Sequence, residues 1–391
     1  MNILSIHKYY WDRDGASRYQ LEVNRLLAER GHAVAPFAMQ DPHNLPSPWA
    51  KYFAPPMDTH AAQFTGEGAR AFGRMLYNWK ARDGVKRLAD EFHAEVAHVH
   101  NIYTQLSPSV LDALRDAHVP AVMTVHDYHM LSPNYMQWRA PHERFHKNSF
   151  AAHLAQATVF HTHRFLRLYD RGIATFVCPS RFVLEQMREA GFAPTKLVHL
   201  PHFVETKNVP ISSRGDGSVL FVSRLVEEKG TRFVVELARA MPDVKFVIAG
   251  DGPLLPFIKG TASKNCEVTG WLLREELAAW YLAASVVIVP SLWPEVFGLT
   301  ALEAMAHGKA VLVSDQGGLP EVVEDGVSGR VVSAGNVDAW KKTIEILLQD
   351  PLSAETYGRA ARLRAEMVFS PEKHIDRLLE IFKKTQNGVR S

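Results

Sequence analysis

Two glutamates, Glu295 and Glu303, stand eight residues apart in the second half of the sequence. Pro290 and Pro294 come before the first of them, and proline disrupts helices because it lacks an amide proton and its ring clashes with the preceding turn. We therefore expect a loop at Glu295 and a helix that begins near Gly298, with Glu303 one to two turns inside it. The stretch combines two carboxylates, which can accept hydrogen bonds from sugar hydroxyls, with the start of a helix.

The start of this predicted helix is a candidate anion site. It would present the backbone amides of Phe297, Gly298, Leu299 and Thr300. The first amides of a helix have no carbonyl partner within it, and the helix dipole adds partial positive charge, so this end favours a phosphate. A carboxylate such as Glu295 can also do no more than stabilise that dipole. Its aromatic and glycine neighbours favour a binding role.

Two cations follow the predicted strand Val219 to Val222, namely Arg224 and Lys229. In open α/β sheets, ligands bind beyond the carboxyl ends of the strands. An arginine can bind two phosphate oxygens at once, whereas a lysine acts as a point charge. On spacing alone a solvated surface pair balanced by Glu227 and Glu228 is the better explanation of these residues.

A glycine-rich loop follows the next predicted strand, with Gly250 and Gly252 before Pro253. The loop lacks the third glycine of a dinucleotide-binding fingerprint, so the pattern does not predict a nicotinamide or flavin cofactor. It is instead predicted to line the base or phosphates of a nucleotide. Trp271 follows the glycine of a later turn, and either a nucleotide base or the protein core could receive its side chain.

These residues together resemble the signature of a known family. The glutamate pair is similar to the E-x7-E motif of retaining glycosyltransferases with the GT-B fold, family 4 in particular (glycosyl transferases group 1). Further segments match the family in the same order along the chain: 223–225, 229–230, 249–253, 317–321 and 325–329. The resemblance is densest from about residue 217 to residue 335.

The resemblance implies an α/β fold of two doubly wound, Rossmann-like domains with a cleft between them. A C-terminal helix would return to the first domain. It also implies an enzyme that moves a sugar from a nucleoside diphosphate sugar to a hydroxyl acceptor, with no metal and no other cofactor. The acceptor would be a glycan or a lipid-linked molecule, and bacterial surface polysaccharide or glycolipid assembly is the pathway that the family favours.

Residue roles in the second half follow from the same resemblance. Arg224 and Lys229 would neutralise the departing diphosphate, which is the main catalytic effect available to such a site. Glu303 would accept hydrogen bonds from the ribose hydroxyls. Glu295 would contact the transferred sugar and stabilise positive charge near its anomeric carbon. The remaining residues implied to contact the donor are Gly250, Gly252, Trp271, Phe297, Gly298, Leu299 and Thr300.

In the first half, the resemblance implies that His126 contacts the donor sugar and that Gly15 lets the backbone approach the substrates. The family usually has a second glycine beside Gly15, where this chain has Asp14. Asp12 and Asp14 also spell D-x-D, a metal motif of another glycosyltransferase fold, but the position does not suit that role. The histidine pairs 98/100 and 161/163 have the spacing of a strand that could bind zinc, and structural roles explain them better.

Three other functions remain open on sequence grounds. Paired carboxylates also suit a glycoside hydrolase, but that interpretation gives Arg224 and Lys229 no purpose. A sugar-nucleotide epimerase of the same fold would share the donor site and differ only in its product. A non-catalytic partner of an active transferase is the third, and Asp14 is the observation that supports it.

Strand-length apolar runs alternate with helical patterns along the chain, which predicts parallel sheets covered on both faces. With 391 residues, two or three domains are expected. A stretch rich in serine, glycine and proline near residues 203–216 suggests a boundary. We predict an acceptor-side domain over residues 1–205, a nucleotide-sugar domain over 206–370 and a returning helix over 371–391.

The bulk composition excludes several classes of protein. A net charge of +2 gives no reason to expect nucleic acid as a partner. No apolar run approaches the ~20 residues of a membrane span, the N-terminus has no secretory signal, and Cys178 and Cys266 suit reduced thiols, so a cytoplasmic protein is predicted. Two basic, aromatic stretches, 70–87 and 137–171, are candidates for contact with the inner face of a membrane. Amphipathic helices packed on a sheet are the simpler interpretation of both.

Overall fold

Two separate parallel β-sheets, each of six strands among the described residues, organise the chain. The computed structural model describes residues 1–57, 66–133, 150–212 and 214–390. It divides the protein into two units. Unit 1 holds Met1–Pro179, Val183–Leu200 and the chain from Ile375 on, and unit 2 holds Ser180–Phe182 and Pro201–His374. The predicted α/β class with two doubly wound halves is confirmed.

Unit 1 has the strand order β2-β1-β3-β4-β5-β6, and all of its neighbouring strands are parallel. Its strands are β1 Asn2–Ile6, β2 Ala33–Phe37, β3 Val96–Val99, β4 Ala121–Thr124, β5 Thr175–Cys178 and β6 Leu197–His199. Its helices are α1 Gly15–Glu29, α2 Gly66–Leu76, α3 Trp79–Phe92, α4 Ser109–Asp116, α5 Phe150–Phe165, α6 Leu168–Gly172 and most of α7 Arg181–Glu189.

Unit 2 repeats the arrangement with the strand order β12-β11-β10-β7-β8-β9, again parallel throughout. Its strands are β7 Val219–Val222, β8 Phe246–Ala249, β9 Cys266–Gly270, β10 Val286–Val289, β11 Ala310–Ser314 and β12 Gly329–Val332. Its helices are α8 Thr231–Ala240, α9 Leu255–Thr261, α10 Arg274–Ala283, α11 Leu299–Ala306, α12 Leu319–Val322, α13 Val337–Gln349 and α14 Pro351–Val368. The last helix, α15 Pro371–Arg390, begins in unit 2 and continues in unit 1.

The central strands are short runs of apolar residues buried on both faces, as a parallel sheet between helices requires. All four side chains of Val286–Val289 are buried, and one apolar cluster lies on each side of the unit 2 sheet. Burying apolar surface contributes roughly 25 cal/mol per Å². The same burial holds α15 against unit 1, where Leu378 and Phe382 are fully buried and Thr385 bonds Thr175 at 3.0 Å.

The sequence pattern missed two strands, β6 and β9, which both lie at a sheet edge. Their side chains are partly exposed along most of their length, so they lack the continuous apolar run that identified the central strands. The strand-type spacing assigned to His161 and His163 is wrong, because both residues lie in helix α5. There the ring of His163 bonds the Leu76 carbonyl at 3.0 Å.

None of the helices in the described part of the chain is both long and apolar enough to cross a membrane.

Candidate functional site

The loops that follow β7 and β10 in unit 2 lie side by side, because these two strands pair directly. The first loop carries Arg224 and ends in a short 3-10 turn, Glu227–Lys229. Gly230 closes that turn with φ 76°, and a Cβ atom there would be 2.2 Å from the Pro290 carbonyl oxygen. A glycine is therefore required for the two loops to approach, and the approach brings Lys229 to the loop of Glu295.

Lys229 and Glu295 form a close ion pair, although they are 66 residues apart in sequence. The lysine Nζ is 2.6 Å from Glu295 Oε1 and 2.8 Å from Oε2. The lysine side chain is 28% exposed and the glutamate side chain 9%. The ammonium also lies 5.8 Å from the ring centroid of Trp293, within the range of a cation–π contact. Lys229 and Glu295, for which separate roles were predicted, thus contact each other directly.

Ser291 is a further residue of this site that the sequence interpretation missed. Its hydroxyl donates to Glu295 Oε1 from a position four residues earlier on the same loop. The hydroxyl of Ser314, at the end of β11, donates in turn to the Ser291 carbonyl at 2.7 Å. The prolines on either side of Ser291 indicate a loop that follows a strand, and so a place at the carboxyl edge of the sheet. Nothing in the sequence distinguished this serine from any other loop serine.

The start of helix α11 matches the predicted anion site in its geometry. Gly298 precedes the helix with φ 118° and no side chain caps it. Leu302 donates to the Gly298 carbonyl at 3.2 Å, whereas the amides of Leu299 and Thr300 have no acceptor among the described residues. The ring of Phe297 is buried in the unit 2 core, so only the backbone of this residue is available to a ligand.

Glu303 lies in helix α11 and is partly buried, as predicted. Its Oε2 is 3.4 Å from the hydroxyl of Tyr281, a buried residue of helix α10. The Tyr281 ring stacks on His307 with the ring centroids 4.8 Å apart. Glu303 therefore has a rigid neighbour that limits where its carboxylate can point.

The glycine-rich loop after β8 is explained first by backbone packing. Gly250 has φ 137°, and a Cβ atom there would be only 1.9 Å from the Ser223 carbonyl oxygen. A Cβ atom at Gly252 would be 2.6 Å from the Leu225 carbonyl oxygen. Both glycines thus let this loop lie against the loop of Arg224.

Trp271 and Arg224 are both exposed at the edge of unit 2. Trp271 is 63% exposed, which excludes the core-packing alternative for this residue. The Arg224 side chain is also exposed, and no hydrogen bond or ion pair holds it within the described ranges. A cation and an aromatic ring are thus available to a ligand at this edge.

Unit 1 carries a different group at the carboxyl edge of its sheet. His126 Nε2 is 3.0 Å from His100 Nδ1, and the ring of Tyr19 packs against His126 with the centroids 5.2 Å apart. Burial lowers the pKa of His126 to about 3 and that of His7 to about 4. These imidazoles are therefore neutral at pH 7 and can bond hydroxyls but cannot neutralise a phosphate.

Asp14 has a clear structural role that the sequence interpretation missed. Its carboxylate accepts from the Ser17 amide at 2.9 Å, and its own amide donates to the Ser17 hydroxyl at 2.9 Å, so it caps helix α1 at Gly15. Such a cap stabilises a helix by about 1 kcal/mol. Asp12 pairs with Arg18 at 3.2 Å. Within the described ranges, His, Cys, Asp and Glu residues form no group of three that could hold a metal ion.

Two doubly wound parallel sheets, with cations, carboxylates and an uncapped helix start at one carboxyl edge, are the features of a protein of the GT-B class. Two family models match the chain: "Glycosyltransferase Family 4" over residues 13–208 and "Glycosyl transferases group 1" over residues 205–364. The chain belongs to glycosyltransferase family 4.

Mycobacterial enzymes are among the relatives by sequence. A GDP-mannose-dependent alpha-(1-6)-phosphatidylinositol monomannoside mannosyltransferase of Mycolicibacterium smegmatis is 33% identical over 220 residues, which is 49% of this chain and 57% of the relative. An alpha-maltose-1-phosphate synthase of Mycobacterium tuberculosis is 28% identical over 328 residues, 74% of this chain and 79% of that one. The chain thus spans little more than half the length of the mannosyltransferase.

Solved structures share the fold at low sequence identity. Sucrose-phosphate synthase from Thermosynechococcus elongatus superposes with a TM-score of 0.77 at 20% identity, and the match covers 98% of each chain. HepE from Anabaena, solved in complex with UDP-glucose, gives a TM-score of 0.70 at 17% identity and covers 98% of this chain and 100% of that one. These likenesses establish the GT-B fold.

Proposed function

We propose that the protein transfers a sugar from a nucleoside diphosphate sugar to a hydroxyl acceptor and retains the configuration at the anomeric carbon. The observation that carries the proposal is the arrangement at the edge of unit 2. The loops that follow β7 and β10 hold the Lys229–Glu295 pair, the uncapped start of helix α11 and the exposed Arg224. A diphosphate needs cations and amide donors, and a sugar needs carboxylates.

The departing diphosphate gains negative charge as the glycosidic bond breaks. In the proposed mechanism Arg224, Lys229 and the amides of Leu299 and Thr300 stabilise that charge, an effect that preorganised donors supply in many enzymes. Glu303 accepts from the ribose hydroxyls, while Glu295 and, in unit 1, His126 contact the transferred sugar. Gly15, Gly250, Gly252 and Trp271 line the substrates. No metal enters, since the fixed cations take its place.

Retention of configuration follows if the acceptor attacks the face that the diphosphate leaves. The released phosphate oxygen then takes the proton of the acceptor hydroxyl, so no separate general base is needed. Protons balance in this step, because the acceptor loses one and the leaving group gains it. The neutral imidazole of His126 suits this scheme because it can bond a sugar hydroxyl without competing for that proton.

The acceptor is proposed to be a glycan or a lipid-linked molecule of the bacterial surface. The names of the mycobacterial mannosyltransferase and of a lipopolysaccharide galactosyltransferase of the same fold support this class. Exposed Trp79 and Phe165 in unit 1, with basic neighbours, support contact with the inner face of a membrane. Residues 137–149 of the second basic stretch lie outside the described part of the chain.

A thermal-shift screen tests the donor class directly. UDP, GDP and ADP and their glucose and mannose conjugates are added one at a time to the full-length chain. A ligand at about 100 times its dissociation constant adds roughly 2.7 kcal/mol to the free energy of unfolding, so the correct base raises the melting temperature. A panel that causes no shift would refute the proposal.

Product analysis separates this function from its alternatives. Incubated with its donor alone, a transferase leaves the sugar unchanged or hydrolyses it slowly, whereas an epimerase converts it to another sugar nucleotide. A non-catalytic partner binds the donor weakly or not at all. NMR coupling constants of the transferred sugar identify its anomeric configuration, and inversion would disprove the mechanism above.

A further inference from the structure

Four side chains at the carboxyl edge of unit 2 form one continuous chain of hydrogen bonds. Ser314 donates to the carbonyl of Ser291, Ser291 donates to Glu295 Oε1, and Lys229 donates to both oxygens of Glu295. The chain links the end of β11, the loop after β10 and the turn after β7, which are neighbours in the sheet. Ser314, Ser291 and Glu295 are 0%, 1% and 7% exposed. The carboxylate thus has a fixed orientation.

The hydrogen-bonding capacity of this carboxylate is almost used up. An ionised carboxylate has about four acceptor positions on its two oxygens. Oε1 accepts from Ser291 and from Lys229, so both of its positions are filled. Among the described residues, Oε2 accepts from Lys229 alone. One acceptor position therefore remains, and it belongs to Oε2.

We propose that Ser291 is a positioning residue for sugar transfer. It occupies Oε1 of Glu295 and so leaves Oε2 to accept one hydroxyl of the transferred sugar. This inference rests on the proposed function and specifies how Glu295 performs its part. A hydrogen bond to an ionised group is roughly twice as strong as a neutral one, so the serine is able to fix the rotation of the carboxylate.

Loss of the serine hydroxyl has a definite consequence for Glu295. Oε1 then keeps only its hydrogen bond from Lys229, so the carboxylate is free to rotate about that contact. Oε2 turns away from the sugar hydroxyl, while the Lys229 ammonium keeps its place beside the diphosphate. Ser291 accordingly affects the sugar-bearing donor more than the bare nucleotide, because only the former offers a hydroxyl to Oε2.

Calorimetric titration of Ser291→Ala tests the assignment without an acceptor. The probes are the nucleoside diphosphate that gives the largest thermal shift and its glucose or mannose conjugate. We expect the affinity for the conjugate to fall about tenfold while the affinity for the bare nucleotide falls less than threefold, the difference being one lost hydrogen bond. Equal losses for both probes would show that the serine is only structural and would overturn the proposal.

Ser328→Ala is the matched control. Ser328 is 1% exposed in unit 2, and its hydroxyl accepts from the Glu324 amide, away from the carboxylate. The same substitution there removes a comparable hydrogen bond. The ratio of the affinity for the sugar conjugate to the affinity for the bare nucleotide should stay as in the wild type. Ser291→Thr keeps a hydroxyl and should restore the ratio that Ser291→Ala loses.

A double-mutant cycle with Glu295→Gln shows whether the serine acts through the glutamate. If it does, Ser291→Ala causes little further loss of affinity for the sugar conjugate in the Glu295→Gln background, and the two effects are not additive. Additive losses would overturn the positioning role even if transfer itself is confirmed. A wild-type protein that binds neither probe would instead refute the proposed function, so the two failures are distinguishable.

Discussion

The carboxyl edges of the two sheets have similar topology and opposite chemistry. In unit 2 the edge carries fixed charges, with Arg224, Lys229 and Glu295 on loops that glycines bring together. In unit 1 the edge carries imidazoles, since His7, His100 and His126 directly follow or lie just beyond the neighbouring strands β1, β3 and β4. Equivalent positions of one architecture thus carry different chemistry.

Burial explains why the histidines of unit 1 are not a second cationic site. His7, His98 and His100 are fully buried beneath Tyr19 and its neighbours in helix α1, and an imidazolium in such a place would lose its hydration. His98 bonds Thr124 at 2.8 Å. Neutral donors and acceptors, such as the rings of His7 and His126, suit hydroxyls, whereas the charges of unit 2 suit a diphosphate. The comparison is therefore between a charged half and a neutral half of the molecule, and the proposed roles follow the same division.

The largest expected effect is the removal of a charge from unit 2. Lys229→Ala deletes the ammonium proposed to face the leaving diphosphate and leaves the buried Glu295 carboxylate without its counter-ion. We expect transfer to fall about 100- to 1,000-fold, the usual cost of one donor aimed at a developing anion. Initial rates at saturating donor measure it.

Lys245→Ala is the control for that prediction. Lys245 lies in the same unit and pairs with Glu267 at 2.8 Å, but both side chains are about half exposed. Its loss should leave the rate within twofold, since exposed ion pairs contribute 0–1 kcal/mol. Near-normal transfer by both Lys229→Ala and Lys245→Ala would show that the Lys229 charge does not contribute to transfer.

The next effect comes from unit 1. His126→Phe keeps a ring in the buried position and removes both nitrogens. We expect the transfer rate to fall roughly 10- to 100-fold, because one contact with the sugar is lost. Affinity for the bare nucleoside diphosphate should not change. Isothermal titration and initial rates together measure the two quantities.

His163→Phe provides the matching control in unit 1, because His163 is buried and, within the described part of the chain, its ring bonds a backbone carbonyl only. It should lower stability and leave the rate per folded molecule unchanged. A loss of nucleotide affinity in His126→Phe would contradict the assignment of the diphosphate to unit 2.

The elements that carry the unit 2 site were predictable from apolar runs and from the positions of proline and glycine. The strand that precedes Arg224 and the loop that holds Glu295 were predicted because apolar runs and prolines mark their limits. The pairing of Lys229 with Glu295 was not, since 66 residues separate them and only the sheet order makes them neighbours. Asp14 was misjudged for a related reason: its cap depends on a backbone angle that sequence spacing does not reveal.

The lowered pKa values of His7 and His126 were also beyond sequence reasoning. Seventeen of the 19 histidines precede residue 205, and a sequence alone cannot distinguish a charged from a buried imidazole. Edge strand β9 was missed because four of its five residues are half-buried and one is exposed, so it lacks a fully buried apolar run. In each case the missing information is burial, which depends on contacts between distant parts of the chain.

Acid should weaken unit 1 more than unit 2. Burial lowers the pKa of His7 to about 4 from an ordinary value of 6.5, and that of His126 to about 3. The unfolded chain therefore binds protons between pH 6.5 and 4 that the folded unit does not, so stability is full above pH 6.5 and is lost as the pH falls towards 4. His7 alone corresponds to roughly 3 kcal/mol.

Hydrogen exchange read by mass spectrometry, corrected for intrinsic rates, reports the opening of each unit separately. In the described part of unit 2, burial lowers the pKa of His374 to about 4, whereas unit 1 has two such imidazoles, so the opening free energy of unit 2 should change less over the same range. His7→Gln should flatten the pH dependence of unit 1. An equally steep loss in both units would remove the contrast between them.

The smallest effect is expected at Tyr281, whose hydroxyl is the neighbour of the Glu303 carboxylate. At 3.4 Å the hydrogen bond is long and its contribution is below about 1 kcal/mol. Tyr281→Phe keeps the buried ring and its stacking on His307, so affinity for the nucleoside diphosphate should fall only two- to threefold. Glu303→Gln should reduce the same affinity far more, because it removes the charge proposed to hold the ribose. A tenfold loss in Tyr281→Phe would mean that the hydroxyl, and not the helix, sets the direction of Glu303.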